Sequence, residues 1–269
     1  MCLEQLNSQV CLHLDMRIMI IGGGWLGKSL AQKLKKDGYE VAITGRRRVI
    51  ETEDLIFFQL DITDRESWSV IDKFDPDFVI ICFPPMKSYD ELSFLEEFSA
   101  LKLKGRKVVY TSSTGVYGPH GIFDELSLVE ENGWIRKNEL AILSNNSAFD
   151  LMILRLGGLI DQDRHPVFHL QGRKELSDPD GVVNLVHRID VINAIKWLID
   201  SNIHNGLYNL VHPDHPSREE YYTKMAGFLN LELPEFSKEK GENYKEVNGD
   251  KITQLKGFKY QGDIWLSLR

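Results

Sequence analysis

The residues best suited to chemistry begin with a glycine run, Gly22-Gly23-Gly24-Trp25-Leu26-Gly27. Its spacing is G-x-G-x-x-G at Gly22, Gly24 and Gly27, set between a short apolar stretch, Arg17–Ile21, and an amphipathic one, Trp25–Asp37. A strand, a glycine turn and a helix in that order form a cradle for a pyrophosphate. Gly22 makes the tight turn, Gly24 lets backbone approach the phosphates, and Gly27 lets helix and strand pack closely. The helix N-terminus adds N–H donors and a partial positive charge. Gly22, Gly24, Trp25, Leu26 and Gly27 are therefore the first cofactor-binding candidates.

The next strand pattern decides between dinucleotides. An NAD site usually places Asp or Glu about 20 residues on, for the ribose 2′-hydroxyl. Thr44 and Gly45 stand there instead, followed by Arg46-Arg47-Arg48. Guanidinium groups suit a 2′-phosphate, so the sequence predicts NADP rather than NAD, with Arg46 as the first contact. Asp61 and Ile62 follow the third strand pattern. They either lie beside the adenine or, in the case of Asp61, cap the helix expected over Asp64–Phe74.

Positioning these residues takes an alternation of strands and helices. Strand patterns at Arg17–Ile21, Glu40–Thr44, Leu55–Leu60, Phe78–Phe83, Lys107–Ser112 and Leu151–Leu156 alternate with helical ones at Trp25–Asp37, Asp64–Phe74, Ser88–Leu103 and Trp134–Ser144. Alternation of this kind implies right-handed βαβ units and a parallel sheet with helices on both faces. From Gly157 to Asn184 the chain is rich in Gly, Pro, His and Asp and reads as loops. A helix over Arg188–Ile199, a strand over Leu207–Val211 and a helix over Ser217–Leu229 follow.

Composition narrows the function classes. The formal net charge of -8 speaks against a nucleic-acid partner, and no apolar run approaches the ~20 residues of a membrane helix. Cys2, Cys11 and Cys82 form no paired framework, which fits a reducing cytoplasm. Met1–Asp15 matches nothing downstream, and Met16 directly precedes the first strand; the expectation is a natural start at Met16. His165 with His169, and His212 with His215, are spaced like partial ligand pairs. Pro166, Pro213 and Pro216 make them loop residues, so no metal site is expected.

Three further stretches carry a family resemblance: Tyr110-Thr111-Ser112-Ser113-Thr114-Gly115-Val116-Tyr117-Gly118, Arg155-Leu156-Gly157-Gly158-Leu159-Ile160, and Val183-Asn184-Leu185-Val186-His187-Arg188-Ile189-Asp190. In that order the chain resembles the extended and atypical short-chain dehydrogenase/reductases, the nucleoside-diphosphate-sugar epimerase/dehydratase group, from Met16 to about Tyr260. The resemblance implies an α/β fold: a Rossmann-type doubly wound parallel sheet with a small interleaved substrate lobe. It divides the chain into a cofactor core over 16–156, a lobe over 157–186 and 212–269, and a return to the core over 187–211. Ser113 matches the family's catalytic serine or threonine. Phe83, Pro84 and Pro85 fall at the loop that borders the cofactor ribose, and His187 and Asp190 match a segment of largely structural role.

One departure from the family pattern stands out. The family acid is a tyrosine followed four residues later by a lysine, on the helix after the Ser113 strand. No tyrosine occurs between Tyr117 and Tyr208, and aligning that helix on Glu139 puts Glu131 and Ile135 at the two positions. Tyr117, Glu130 and Glu131 are the replacement candidates, each with a plain structural reading as well. Two functions follow. One is an NAD(P)-dependent oxidoreductase or epimerase acting on a sugar nucleotide or related small carbonyl or hydroxyl compound. The other is a cofactor-binding sensor with little chemistry of its own.

Overall fold

The computed structural model describes residues 16–47, 55–239, 241 and 243–265. The expectations for Met1–Asp15 and Arg48 lie outside these residues. In chain order the elements are β1 (Arg17–Ile21), α1 (Trp25–Lys36), β2 (Glu40–Gly45), β3 (Ile56–Gln59), α2 (Ser69–Phe74), β4 (Phe78–Ile81), α3 (Tyr89–Lys102), β5 (Lys107–Ser113) and β6 (Gly121–Phe123). They continue with α4 (Trp134–Leu143), β7 (Asp150–Leu156), β8 (Gly158–Ile160), α5 (Val167–Leu170), β9 (Leu185–His187), α6 (Arg188–Asp200), β10 (Gly206–Leu210), α7 (Arg218–Phe228), β11 (Lys245–Val247) and α8 (Asp250–Thr253).

Contacts divide the chain into two compact units. The first takes residues up to Ser112 with Glu131–Leu154 and Leu198–Gly206; the second takes Ser113–Glu130, Arg155–Trp197 and Leu207–Arg269. This division departs from the boundaries implied at 156, 186 and 211. Ser113–Glu130 joins the second unit, and so does most of α6.

In the first unit the sheet runs β7-β5-β4-β1-β2-β3. β1 pairs in parallel with both β2 and β4, and the pairs β2–β3 and β4–β5 are parallel as well. Strand order therefore reverses between β1 and β4, the point at which open α/β sheets bind ligands. Ile18 to Ile21 and Phe78 to Ile81 are at most 2% exposed, which explains their continuous apolar runs: a strand covered on both faces has no polar side to present. α1 buries Leu26, Leu30 and Leu34 and carries Lys33, Lys35 and Lys36 in its last turn, where the helix dipole favours cations. The helix expected over Asp64–Phe74 is split. Asp64 caps a 3-10 turn, Arg65–Trp68, by accepting from Glu66 N–H, and α2 follows directly. α3 begins with a capping box in which Ser88 and Glu91 satisfy each other's backbone N–H groups.

The second unit has a core formed by Ile160, Val167, Val183, Leu185, Tyr221, Met225 and Ile264. Two short parallel pairs, β6–β11 and β8–β9, hold its segments together. The region expected as loops from Gly157 to Asn184 contains β8 and α5; elements this short carry too little periodicity to read from sequence. Asp190, fully buried, accepts from the backbone N–H groups of Gln261 and Gly262 and so ties α6 to the C-terminal segment.

His165 is 2% exposed here. Its Nδ1 accepts from Val167 N–H at 3.1 Å, so the proton sits on Nε2 and is shared with Tyr221 Oη at 2.8 Å. The Tyr221 hydroxyl in turn donates to Ile264 O at 2.6 Å. Burial holds the imidazole pKa down to about 4, from 6.5. Above pH 6.5 the ring is neutral in both the folded and unfolded states and adds no pH dependence. Between pH 6.5 and 4 the unfolded chain takes up the proton first, so stability falls as pH falls, by about 3 kcal/mol at most. Urea unfolding of wild type and His165→Gln at pH 7 and pH 4.5 tests this. The variant is expected to lose distinctly less stability on acidification, and equal losses would exclude the imidazole as the cause.

Candidate functional site

A cavity of about 1060 Å³ opens at the β1–β4 reversal, within the first unit. Its floor is the glycine turn. Gly22 has φ +113°, and a Cβ there would come within 2.8 Å of Phe83 N and 2.9 Å of Cys82 C. Only glycine serves at that position. A Cβ on Gly27 would overlap Gly22 O, so the first turn of α1 sits directly on the loop. Gly24 differs: a Cβ there meets nothing within 4 Å and would project into open space. Gly23 N–H donates to Thr44 O at 2.7 Å, locking the turn to the end of β2. A backbone that leaves room at Gly24, followed by the N-terminus of a twelve-residue helix, has the form that a pyrophosphate requires.

The other expected residues are placed as follows. Arg46, Asp61, Ile62, Phe83, Pro84 and Pro85 line the cavity, and Arg47 joins them. Thr44 is fully buried and Gly45 ends β2, so Arg46 is the first charged side chain at that strand end to line the cavity. Gln59 Nε2 donates to Arg46 O at 3.2 Å and braces this turn. Asp61 does not cap the following turn, which is the task of Asp64; its Oδ1 accepts from the N–H and the hydroxyl of Thr63. Trp25, Leu26 and Gly27 do not line the cavity. Leu26 turns into the core, and what this stretch offers a ligand is the backbone of α1's first turn.

Met86, Lys87 and Glu91 form a wall that the sequence did not reveal. Asn138 of α4 holds this wall in place, accepting from Met86 N–H at 2.9 Å and donating to Met86 O at 2.7 Å. The Glu91 carboxyl lies below the usual range because it accepts from the N–H groups of Ser88 and Lys87, with a smaller contribution from the charge of Arg46. Arg46 and Glu91 line the same cavity. Beside this wall, Ser112 Oγ donates to Glu139 Oε1 at 2.7 Å, and Glu139, fully buried, lies 3.4 Å from Arg136 Nη1.

In the second unit, Ser113 ends β5, and its Oγ accepts from Gly115 N–H at 3.0 Å. That bond uses a lone pair and leaves the hydroxyl proton for another acceptor. Tyr117 is buried: its hydroxyl donates to Asn209 Oδ1 at 2.8 Å and receives from Arg155 Nη1 at 3.0 Å. Such a phenol is a packing group, and burial raises its pKa. Glu131 lies on the surface of the first unit, 3.4 Å from Arg136 Nε.

Comparison with known proteins agrees with this architecture. Residues 18–133 match the family model described as the NAD dependent epimerase/dehydratase family. Protein YeeZ of Escherichia coli (strain K12) is 33% identical over 91% of this chain and 96% of its own length. The chain belongs to the NAD dependent epimerase/dehydratase family. Solved structures similar to this chain include WbmG from Bordetella bronchiseptica in complex with NAD, with a TM-score of 0.76 over 93% of this chain and 91% of that one, at 16% identity. UDP-N-acetylglucosamine 4-epimerase from Bacillus cereus gives 0.72 over 94% and 96%, also at 16% identity. MoeE5 in complex with UDP-glucuronic acid and NAD gives 0.75 over 93% and 95%, again at 16% identity. At these identities the epimerase/dehydratase structures share the fold. No helix among the described residues is long and apolar enough to cross a membrane.

Proposed function

We propose that the chain binds NADP(H) in the first unit's cavity and acts as an oxidoreductase or epimerase on a sugar nucleotide or a related small carbonyl or hydroxyl compound, in the cytoplasm. The observation that carries this reading is Arg46 and Arg47 at the cavity wall, where β2 ends without an acid. WbmG and MoeE5 were solved with NAD, so the preference for the phosphorylated cofactor rests on this chain's own arginines. The nicotinamide, when bound, would supply or accept a hydride. Gly22 to Gly27 hold the pyrophosphate by backbone, Ile62 packs on the adenine beside Asp61, and Phe83, Pro84 and Pro85 border the ribose. Ser113 orients the substrate oxygen.

Calorimetry with NADPH and NADH tests this reading. Charge-assisted hydrogen bonds contribute about 1.5–3 kcal/mol each, so NADPH is expected to bind at least about tenfold more tightly. Arg46→Ala should remove most of that ratio while leaving NADH affinity nearly unchanged. Equal affinity of the wild type for both cofactors would reject it.

The absence of any tyrosine between Tyr117 and Tyr208 favours a second reading, a cofactor-binding regulatory protein. NADPH consumption against a panel of sugar nucleotides and sugar acids separates the two. Cofactor binding without turnover on any of them supports regulation.

A further inference from the structure

A second cavity, of about 560 Å³, lies wholly within the second unit, and the cofactor reading does not use it. Among the described residues, four charged side chains line it: Lys245, Glu130, Arg218 and Asp178. Lys245 is rigidly placed. Its backbone pairs with Gly121 across β6–β11, and Asn184 donates to Lys245 O at 2.7 Å while accepting from Val247 N–H at 2.8 Å. The ammonium, half-buried, donates to Tyr117 O at 2.9 Å, which uses one of its three protons. Desolvation lowers its pKa, and the nearby Glu130 carboxylate works against that shift. Arg218 Nη1 lies 3.6 Å from Asp178 Oδ2, while Asp178 is itself held by the backbone and side-chain N–H groups of Asn243.

The lining therefore presents cations that each stand beside a carboxylate. Two adjacent phosphates would meet Glu130 and Asp178 as well as the cations, and like charges at close range are repelled. Nor do the described residues offer a platform for a nucleobase. Tyr117 is the aromatic side chain of this cavity; one face of its ring stacks on Phe123 at 5.1 Å and Arg155 lies over the ring at 5.0 Å. What remains is a pair of ammonium protons suited to one oxyanion, next to carboxylate oxygens that accept hydroxyl protons.

We infer that this cavity binds a compact polyhydroxylated carboxylic acid, of the sugar-acid class, with its carboxylate on Lys245 and a hydroxyl on Glu130, rather than a nucleoside diphosphate sugar. The inference deepens the proposed function and rests on it only in calling this ligand the substrate; binding itself is independent of the cofactor site.

The test is calorimetric titration with glucuronate, glucose and UDP-glucuronic acid, on protein with and without saturating NADP(H). Glucuronate is expected to bind at least about tenfold more tightly than glucose, the scale of one charge-assisted hydrogen bond. UDP-glucuronic acid should bind no more tightly than glucuronate. Lys245→Met should weaken glucuronate at least about tenfold, with Lys245→Arg recovering part of the loss and NADP(H) affinity unchanged. Glu130 is exposed, so Glu130→Gln keeps the fold if Lys245→Met does not; it should weaken glucuronate and glucose alike. Three results would overturn the inference: no glucuronate binding to folded protein, UDP-glucuronic acid binding tenfold more tightly than the free acid, or unchanged glucuronate affinity in both folded variants. Failure of NADP(H) titrations on the same preparations would count against the proposed function instead, and leaves the sugar-acid result standing on its own.

Discussion

Replacing Gly24 with valine is expected to abolish measurable NADP(H) binding, a loss of about a hundredfold or more, in a protein that stays folded. The two halves of this expectation have separate causes. Gly24 is the N-cap of α1 with φ −75°, a conformation open to any residue, and a Cβ there meets no protein atom within 4 Å. The folded state therefore loses little. The empty space is the approach to the helix N-terminus, and filling it blocks the close contact between backbone and pyrophosphate. Gly27→Val makes the opposite case three residues later. Its Cβ would overlap Gly22 O, so β1, the turn and α1 would have to separate, and over-packing of this kind costs about 1–3 kcal/mol or more. Thermal unfolding alongside calorimetry checks both. Gly24→Val should melt near the wild type and bind nothing, whereas Gly27→Val should melt well below it. Full cofactor affinity in a folded Gly24→Val would remove the site.

The contrast between these glycines shows what was legible in the sequence. Strand, turn and helix are local, and the spacing of Gly22, Gly24 and Gly27 encodes them within a few residues. The parallel sheet was legible for the same reason: runs such as Phe78–Ile81, covered on both faces, must be apolar throughout. The far wall of the cavity was not. Met86 is held by Asn138 from 52 residues away, and no pattern near either residue signals the contact. Trp25 and Leu26 fell inside the motif without facing the cavity, because a motif marks backbone geometry and does not say where a helical side chain turns. The second unit was the least legible. Its β6–β11 and β8–β9 pairs are three residues long, too short for periodicity. Its first segment begins at Ser113, at the end of β5, well before the composition changes at Gly157. The charge pairs of its cavity come from four separate stretches of chain.

Ser113→Ala is expected to lower turnover by about 10²-fold or more while leaving NADP(H) affinity nearly intact. General acid–base and orienting groups are typically worth about 10²–10⁴-fold in rate. On the proposed function, with no tyrosine between Tyr117 and Tyr208, Ser113 is the hydroxyl proposed to orient the substrate. The structure supplies the reason it can serve. Ser113 Oγ accepts from Gly115 N–H at 3.0 Å, which fixes the oxygen without consuming its proton, and that proton can be donated to a substrate carbonyl. The competing account is that Ser113 only caps the 3-10 turn at Thr114–Val116. A cap is worth about 0.5–2 kcal/mol of stability, so on that account the alanine variant melts lower and turns over normally. Ser113→Thr keeps both the acceptor and the proton and should retain most of the activity, so that a loss in the alanine variant is traced to the hydroxyl. The measurement is NADPH oxidation with whichever carbonyl compound the substrate panel identifies, alongside cofactor titration and thermal melting of each variant. A large loss in kcat for alanine, rescue by threonine and unchanged NADP(H) affinity assign Ser113 to the chemistry. Full activity in the alanine variant assigns it to the turn.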